Sequence, residues 1–345
     1  MMALESDNIK VVHINAGDEE GADITLEYNA RRITISFFAS PLCSSPGSPV
    51  ENRIIHLLNN AVIAADEDYE ELINEVLDVI LPAGETFFSE AAPPGRQKPC
   101  ATRDLHSLLY PESLDFRLQT IDGKATMFRI SPDEGVALPD TPPEPRLDTV
   151  FQPNDQLTCY SAKDISVHDI FVCGNGIVGR VHIDGRDMLC KARRAGLWDV
   201  GLERELVTLQ SIQEAIARTN ITIRAPSLHG YIIHAHSGAV IGLLRQWVPP
   251  SSYGKSLRDV NVSVVPLNIR HKWADQVRQT VANLHSIGII WGDGKPSNII
   301  VDESDDIELI DFAGGWSQGW VDEPLAETME GDNQAVGRIV QFLGI

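Results

Sequence analysis

The stretch that most constrains this chain is Leu284-His285-Ser286-Ile287-Gly288-Ile289-Ile290-Trp291-Gly292-Asp293-Gly294-Lys295-Pro296-Ser297-Asn298, followed by Leu309-Ile310-Asp311-Phe312-Ala313-Gly314. Asp293, Lys295 and Asn298 fall in a short Gly/Pro/Ser segment directly after an apolar run. The interval from Asn298 to Asp311 leaves room for one hairpin: Ile299-Ile300-Val301, an acidic turn from Asp302 to Asp306, then Ile307-Glu308-Leu309-Ile310. Two strands that return to one point bring Asn298 and Asp311 together. Their oxygens suit a hard cation such as magnesium, which prefers carboxylate and carbonyl ligands and keeps several waters. Asp293, in its tight loop, is placed to take or orient the proton of an attacking hydroxyl.

The chain has 345 residues, 43% of them hydrophobic, which is enough for two domains or one domain with a large extension. A net charge of −21 argues against nucleic acid or an anionic membrane as partner. Five cysteines, Cys43, Cys100, Cys159, Cys173 and Cys190, show no metal-ligand pairing and are expected to be reduced packing residues. Met1 to Ala16 carries acidic residues and no long apolar run, and no segment reaches the roughly 20 apolar residues of a membrane helix. A cytoplasmic or nuclear location follows as an expectation.

Residues 1–131 are expected to form an α+β region. Val11-Val12-His13-Ile14 and Ile33-Thr34-Ile35-Ser36-Phe37-Phe38 have strand composition, and Cys43 to Pro49 reads as a loop. Helical spacing predicts one helix over about Glu51 to Ala65 and a second over about Tyr69 to Ile80. Phe116–Ile121 and Ala125–Ile130 flank Asp122-Gly123, a strong hairpin signal. His13, His56 and His106 are isolated and are expected to be core or surface residues. Residues 132–158, rich in proline and acid, read as an extended linker.

The second half opens with Gly174-Asn175-Gly176-Ile177-Val178-Gly179. This glycine pattern alone is weak evidence, because dinucleotide-binding folds use it too. A dinucleotide fingerprint must run into a helix. Here Gly179 leads into Arg180-Val181-His182-Ile183, an Asp184-Gly185 turn and Met188-Leu189-Cys190-Lys191, which is two strands and a hairpin. A helix follows with Leu202, Leu206, Leu209 and Ile212 on one face, and either Glu203 or Glu205 can reach Lys191.

The order glycine loop, Lys191, Glu205, Asp293-x-Lys295-x-x-Asn298, Asp311-Phe312 resembles the protein-kinase-like superfamily over about Ile170 to Gly344. The resemblance implies a bilobal α+β fold, with an N-lobe over 159–249 and a short C-lobe over 250–345. It implies that Gly174, Gly176 and Gly179 close over nucleotide phosphates and that Lys191 holds them, paired to Glu205. Asp293 would be the catalytic base, Lys295 would neutralise the phosphoryl group, and Asn298 and Asp311 would bind Mg2+. Gln246-Trp247-Val248-Pro249-Pro250 resembles the hinge between lobes, with Trp247 and Val248 beside the adenine of ATP.

Trp291-Gly292 stands where the family usually has His-Arg, and Ala313 replaces the glycine of Asp-Phe-Gly. The glycine before Asp293 resembles small-molecule kinases of the aminoglycoside and choline type. No Ala-Pro-Glu motif follows, and few residues remain after Gly315 for helices that dock peptides. Asp332 is expected to hold the catalytic-loop backbone, and Trp316 and Trp320 to line an acceptor pocket. The resulting expectation is an ATP- and Mg2+-dependent phosphotransferase acting on a hydroxylated small molecule, slightly ahead of a Ser/Thr protein. A catalytically silent kinase-like binding or scaffold protein is the alternative, and nucleotidyl transfer on the same fold a third.

Overall fold

Arg31–Phe38, rich in β-branched and aromatic residues, is the middle strand of a five-stranded sheet. The computed structural model describes residues 9–16, 20–29, 31–41, 49–64, 66–91, 104–111, 113–136, 143–174 and 176–345. Its chain divides into two units, Met1–Pro99 with Tyr110–Thr141, and Cys100–Leu109 with Pro142–Ile345. Both mix helices with strands.

In the first unit β1 (Ile9–Asn15), β2 (Gly21–Tyr28), β3 (Arg31–Phe38), β4 (Ser113–Ile121) and β5 (Lys124–Arg129) follow one another across the sheet. Only β3 and β4 run parallel. A parallel pair needs a crossover, and α1 (Val50–Ile63) and α2 (Asp66–Ala91) lie within it. Ile54, Leu58, Val76, Ile80 and Phe88 of these helices share one core with Ile24, Ile33, Ile35 and Phe116 of the sheet. Asp122 and Gly123, with φ of 48° and 75°, make the tight turn between β4 and β5. Glu51 is buried at 1% exposure. Burial alone would raise its pKa, but hydrogen bonds from Ser40 and Thr120 outweigh that and hold the carboxyl below the usual range.

The second helix does not stop near Ile80. It continues through Pro82 to Ala91. An interior proline costs about 3 kcal/mol, and the buried Phe88 beyond it shows that the apolar face persists and offsets that cost. The loop read at Cys43 to Pro49 lies, apart from Pro49, outside the described residues, as do Cys43 and Cys100.

The second unit holds β6 (Thr158–Ser161), β7 (Ser166–Cys173), β8 (Gly176–Ile183), β9 (Arg186–Arg193), β10 (Leu228–Ile233) and β11 (Val240–Gln246), in the order β6-β10-β11-β9-β8-β7. Its helices are α3 (Leu105–Leu109), α4 (Val200–Thr219), α5 (Leu267–Ser286) and α6 (Met329–Phe342), with a small hairpin β12 (Ile299–Val301) and β13 (Ile307–Leu309). Asp199 caps α4 by accepting from the Leu202 amide at 3.0 Å. One core joins Leu202, Leu206 and Leu209 of α4 to Tyr231 and Leu243 of the sheet, to Trp273 and Val277 of α5, and to Trp291 and Ile339. α5 also grips the hairpin: Trp273 Nε1 donates to the Asp305 carbonyl at 3.0 Å, and Gln276 Oε1 accepts from the Ile307 amide at 3.1 Å.

Two expectations about the chain's middle change. Residues 143–157 are anchored within the second unit rather than forming a bare linker: Arg146 donates to the Leu197 carbonyl at 2.8 Å, and Phe151 is 1% exposed against Tyr231. Proline and acid hide such anchoring because they carry no periodicity. Residues 137–142 lie outside the described residues. The short α3, placed with the N-terminal region by position, belongs to the second unit, where Leu105 N donates to the Ile165 carbonyl at 2.8 Å.

Among the described cysteines only Cys190 is a packing residue, its thiol pushed up to about 12 by burial; Cys159 and Cys173 are exposed. Among the described residues no helix is long and apolar enough to cross a membrane.

Candidate active site

Lys191 leaves β9 opposite Leu243 of β11, so it points with the apolar face of the sheet toward α4. Its Nζ donates to Glu205 Oε2 at 2.5 Å and to Asp311 Oδ1 at 2.8 Å. Glu205, 3% exposed, is therefore the partner that α4 presents. Glu203, two positions earlier, turns to the other side and accepts from Thr149 Oγ1 at 2.5 Å and Val150 N at 2.7 Å. Burial opposes the charge on Lys191, but Glu205 and Asp311 together outweigh it and hold the ammonium above its usual range. Asp311 has φ of 63°, left-handed for a non-glycine residue, an arrangement that persists only where neighbours over-determine it.

The hairpin brings the second group in. Ile299 pairs with Leu309, and Ile310 N donates to the Asn298 carbonyl at 3.0 Å, which sets Asn298 beside Asp311. Asn298 Nδ2 donates to the Asp293 carbonyl at 2.9 Å and to Asp293 Oδ2 at 3.2 Å, so its Oδ1 is the atom left to face a cation. Lys295 Nζ donates to Asp293 Oδ2. Asp332, 1% exposed on α6, accepts from Trp291 N at 2.8 Å and Gly292 N at 2.9 Å, and His285 Nε2 lies 2.9 Å from its Oδ2. These bonds fix the backbone just before Asp293. Gly292 has φ of 91° and packs against the Gly314 backbone, so a side chain there would be strained.

Two of the three glycines are also required by the sheet itself. A Cβ on Gly176 would meet the Ala192 carbonyl oxygen at 2.3 Å, and one on Gly179 the Asp169 oxygen at 2.4 Å, so both glycines serve strand packing. A Cβ on Gly174 would meet nothing within 4 Å, and its amide donates to the Gly176 carbonyl at 3.1 Å across the turn; Asn175 lies outside the described residues. Trp247 stacks on Phe171 of β7, centroids 5.7 Å apart, with Arg180 over its ring, while Val248 is buried.

Three contributors were not recognised in the sequence. Ser317 Oγ donates to Asp293 Oδ1 at 2.9 Å and accepts from Lys295 Nζ at 2.8 Å. Arg245 of β11 is 5% exposed and faces Glu205, Glu308 and Asp311; burial pulls its pKa down against their attraction. Arg204 of α4 reaches Glu327 Oε1 at 2.6 Å, and the same oxygen accepts from Gly315 N at 2.9 Å, which clasps the segment after Asp311. A lone Ser, Arg or Glu in sequence carries no signal for contacts that depend on packing between distant elements. Of the two tryptophans expected at an acceptor pocket, Trp320 packs edge-on against Phe342 of α6 at 6.1 Å and Trp316 is 40% exposed. The side chain beside Asp293 is Ser317, between them.

Among the described residues no three His, Cys, Asp or Glu side chains form a metal group. Asn298 Oδ1 and Asp311 still fit magnesium, which takes one or two protein oxygens and completes its shell with water and phosphate. Family models and curated protein sequences were compared with the chain, and none matches.

Proposed function

We propose that the second unit is an ATP- and Mg2+-dependent phosphotransferase of protein-kinase-like, bilobal arrangement, with its cleft between the sheet and the α5–α6 part. The observation that carries this reading is that two hydrogen-bonded groups from separate elements, Lys191 with Glu205 and Asp311, and Asp293 with Lys295 and Asn298, are set side by side by the bond from Ile310 N to the Asn298 carbonyl. Phosphoryl transfer needs little covalent help from a protein; it needs positioning and charge. Lys191, steadied by Glu205, supplies charge for the α- and β-phosphates. Asp293 orients an acceptor hydroxyl and takes its proton, and Lys295 offsets charge on the moving group. Magnesium held at Asn298 and Asp311 would neutralise phosphate oxygens and align them for in-line transfer.

For the acceptor, a hydroxylated small molecule stands slightly ahead of a Ser/Thr protein, because only the residues between Asp311 and Met329 separate the metal loop from α6. Incubation with γ-labelled ATP and either a metabolite extract or a Ser/Thr peptide library decides. Label entering a metabolite supports this reading, and efficient labelling of peptides alone overturns it. Neither label nor ADP would favour a silent kinase-like binding protein.

A further inference from the structure

Ser317 occupies the place beside Asp293 that an acceptor hydroxyl needs, and it does so with its proton already directed. Its Oγ donates to Asp293 Oδ1 at 2.9 Å and accepts from Lys295 Nζ at 2.8 Å. A hydroxyl has one proton and two lone pairs, so one lone pair remains for an electrophile. Asp293 is held from its other side by Lys295 and by Asn298 Nδ2 at 3.2 Å, which keeps the carboxylate aimed at the serine. The chain brings Ser317 back over the loop through Gly314, Gly315 and Gly319, with φ of 83°, 104° and 86°. Ser317 is itself only partly buried, and its neighbours Gly315 and Gln318 are exposed.

We propose, resting on the phosphotransferase reading above, that Ser317 is a modification site: the chain transfers the γ-phosphoryl group of a nucleoside triphosphate to its own Ser317 Oγ. The bond between Oγ and the γ-phosphorus forms as the bond from that phosphorus to the β,γ-bridging oxygen breaks. The serine proton passes to Asp293, and the electron pair leaves on the nucleoside diphosphate. The product carries a phosphate beside the Asp293 carboxylate, so like charges then drive the 314–319 segment off the loop. A serine that merely pegs this segment in place would make the same two hydrogen bonds and would never be modified.

The test uses the full chain, treated with phosphatase and then freed of it, with ATP and Mg2+. Intact mass should rise by one phosphoryl group, and fragmentation should map it to Ser317. The rate constant should not change with protein concentration, because transfer occurs within one molecule. Ser317→Ala should abolish the added mass, and Asp293→Asn should slow its appearance at least about a hundredfold, the low end for a general base. Calorimetric titration of the same preparations with ATP and Mg2+ separates the two layers of the argument. Saturable binding with no phosphate on Ser317, or labelling that accelerates with protein concentration, overturns this inference and leaves the phosphotransferase reading standing. Absence of binding overturns both.

Discussion

Asp332 shows how one buried carboxylate governs the candidate site without touching a substrate. It accepts from the Trp291 and Gly292 amides and faces His285, so truncation leaves two interior N–H groups with no acceptor. Each hydrogen bond to a charged group is worth about 1.5–3 kcal/mol. Asp332→Ala is therefore expected to destabilise the second unit by about 3 kcal/mol or more. For a unit of that size, the melting temperature would drop by roughly 6–12 °C. Differential scanning calorimetry checks this, and an unchanged transition would show that other contacts hold the loop. At this scale the sequence was informative where spacing is local: Asp293, Asn298 and Asp311 are joined by one short hairpin, and Asp332 could be placed by the resemblance. It was silent on Ser317, Arg245 and Glu327, whose partners lie across folds of the chain and whose residue types are common on any surface.

Helices and strands set the next level of behaviour. The Arg204–Glu327 clasp ties α4 to the segment after Asp311, with the Glu327 pKa lowered first by its bond from Gly315 N and then by Arg204. Both side chains are substantially exposed, 32% and 48%, so global stability gains little from the pair. Its effect is local order. Glu327→Gln should speed amide hydrogen exchange at Gly315 and its neighbours while leaving the melting temperature within about 1 °C; unchanged exchange would remove the clasp.

The short α3 offers a pH-dependent case. His106 packs its ring 5.2 Å from His234 and 5.5 Å from His236, although in sequence it stood isolated. Burial, the neighbouring histidines and Lys163 lower the pKa of His106, with Asp104 opposing; burial, His236 and Lys163 lower that of His234, with Glu144 opposing. Both folded values thus lie below 6.5, the ordinary value. The unfolded chain then binds more protons as pH falls through that region, so the contribution is present above about pH 6.5 and is lost below it. Thermal melts between about pH 7.5 and 5 should show the second unit weakening before most carboxylates titrate. Replacing His106 and His234 with Gln should flatten that slope, and an equally steep slope in the variant would contradict the assignment.

The elements themselves were legible where periodicity is strong, as in α4. They were least legible where packing overrides a local rule: α2 passes Pro82 because Phe88 remains buried, and residues 143–157 look like linker yet seat Phe151 in a core. Sequence also does not display that Gly176 and Gly179 face neighbouring carbonyls too closely for a Cβ.

In the whole molecule the candidate site lies within the second unit, and the first is an α+β unit with its own core. With a net charge of −21, the proposed binding of an anionic nucleotide would meet an unfavourable average field, so local cations would have to carry recognition. Lys191, Lys295 and Arg245 are the ones gathered at the site. Binding should consequently depend on the divalent ion and on Lys191 far more than on ionic strength-sensitive surface charge. The most direct measurement is isothermal titration of the full chain with ATP, with and without Mg2+, alongside Lys191→Met. The proposed nucleotide site should be saturable, one per chain, should need the metal and should weaken at least about tenfold in the variant, the loss of about 1.4 kcal/mol. A flat titration with ATP and Mg2+ present, or equal affinity in Lys191→Met, would contradict it.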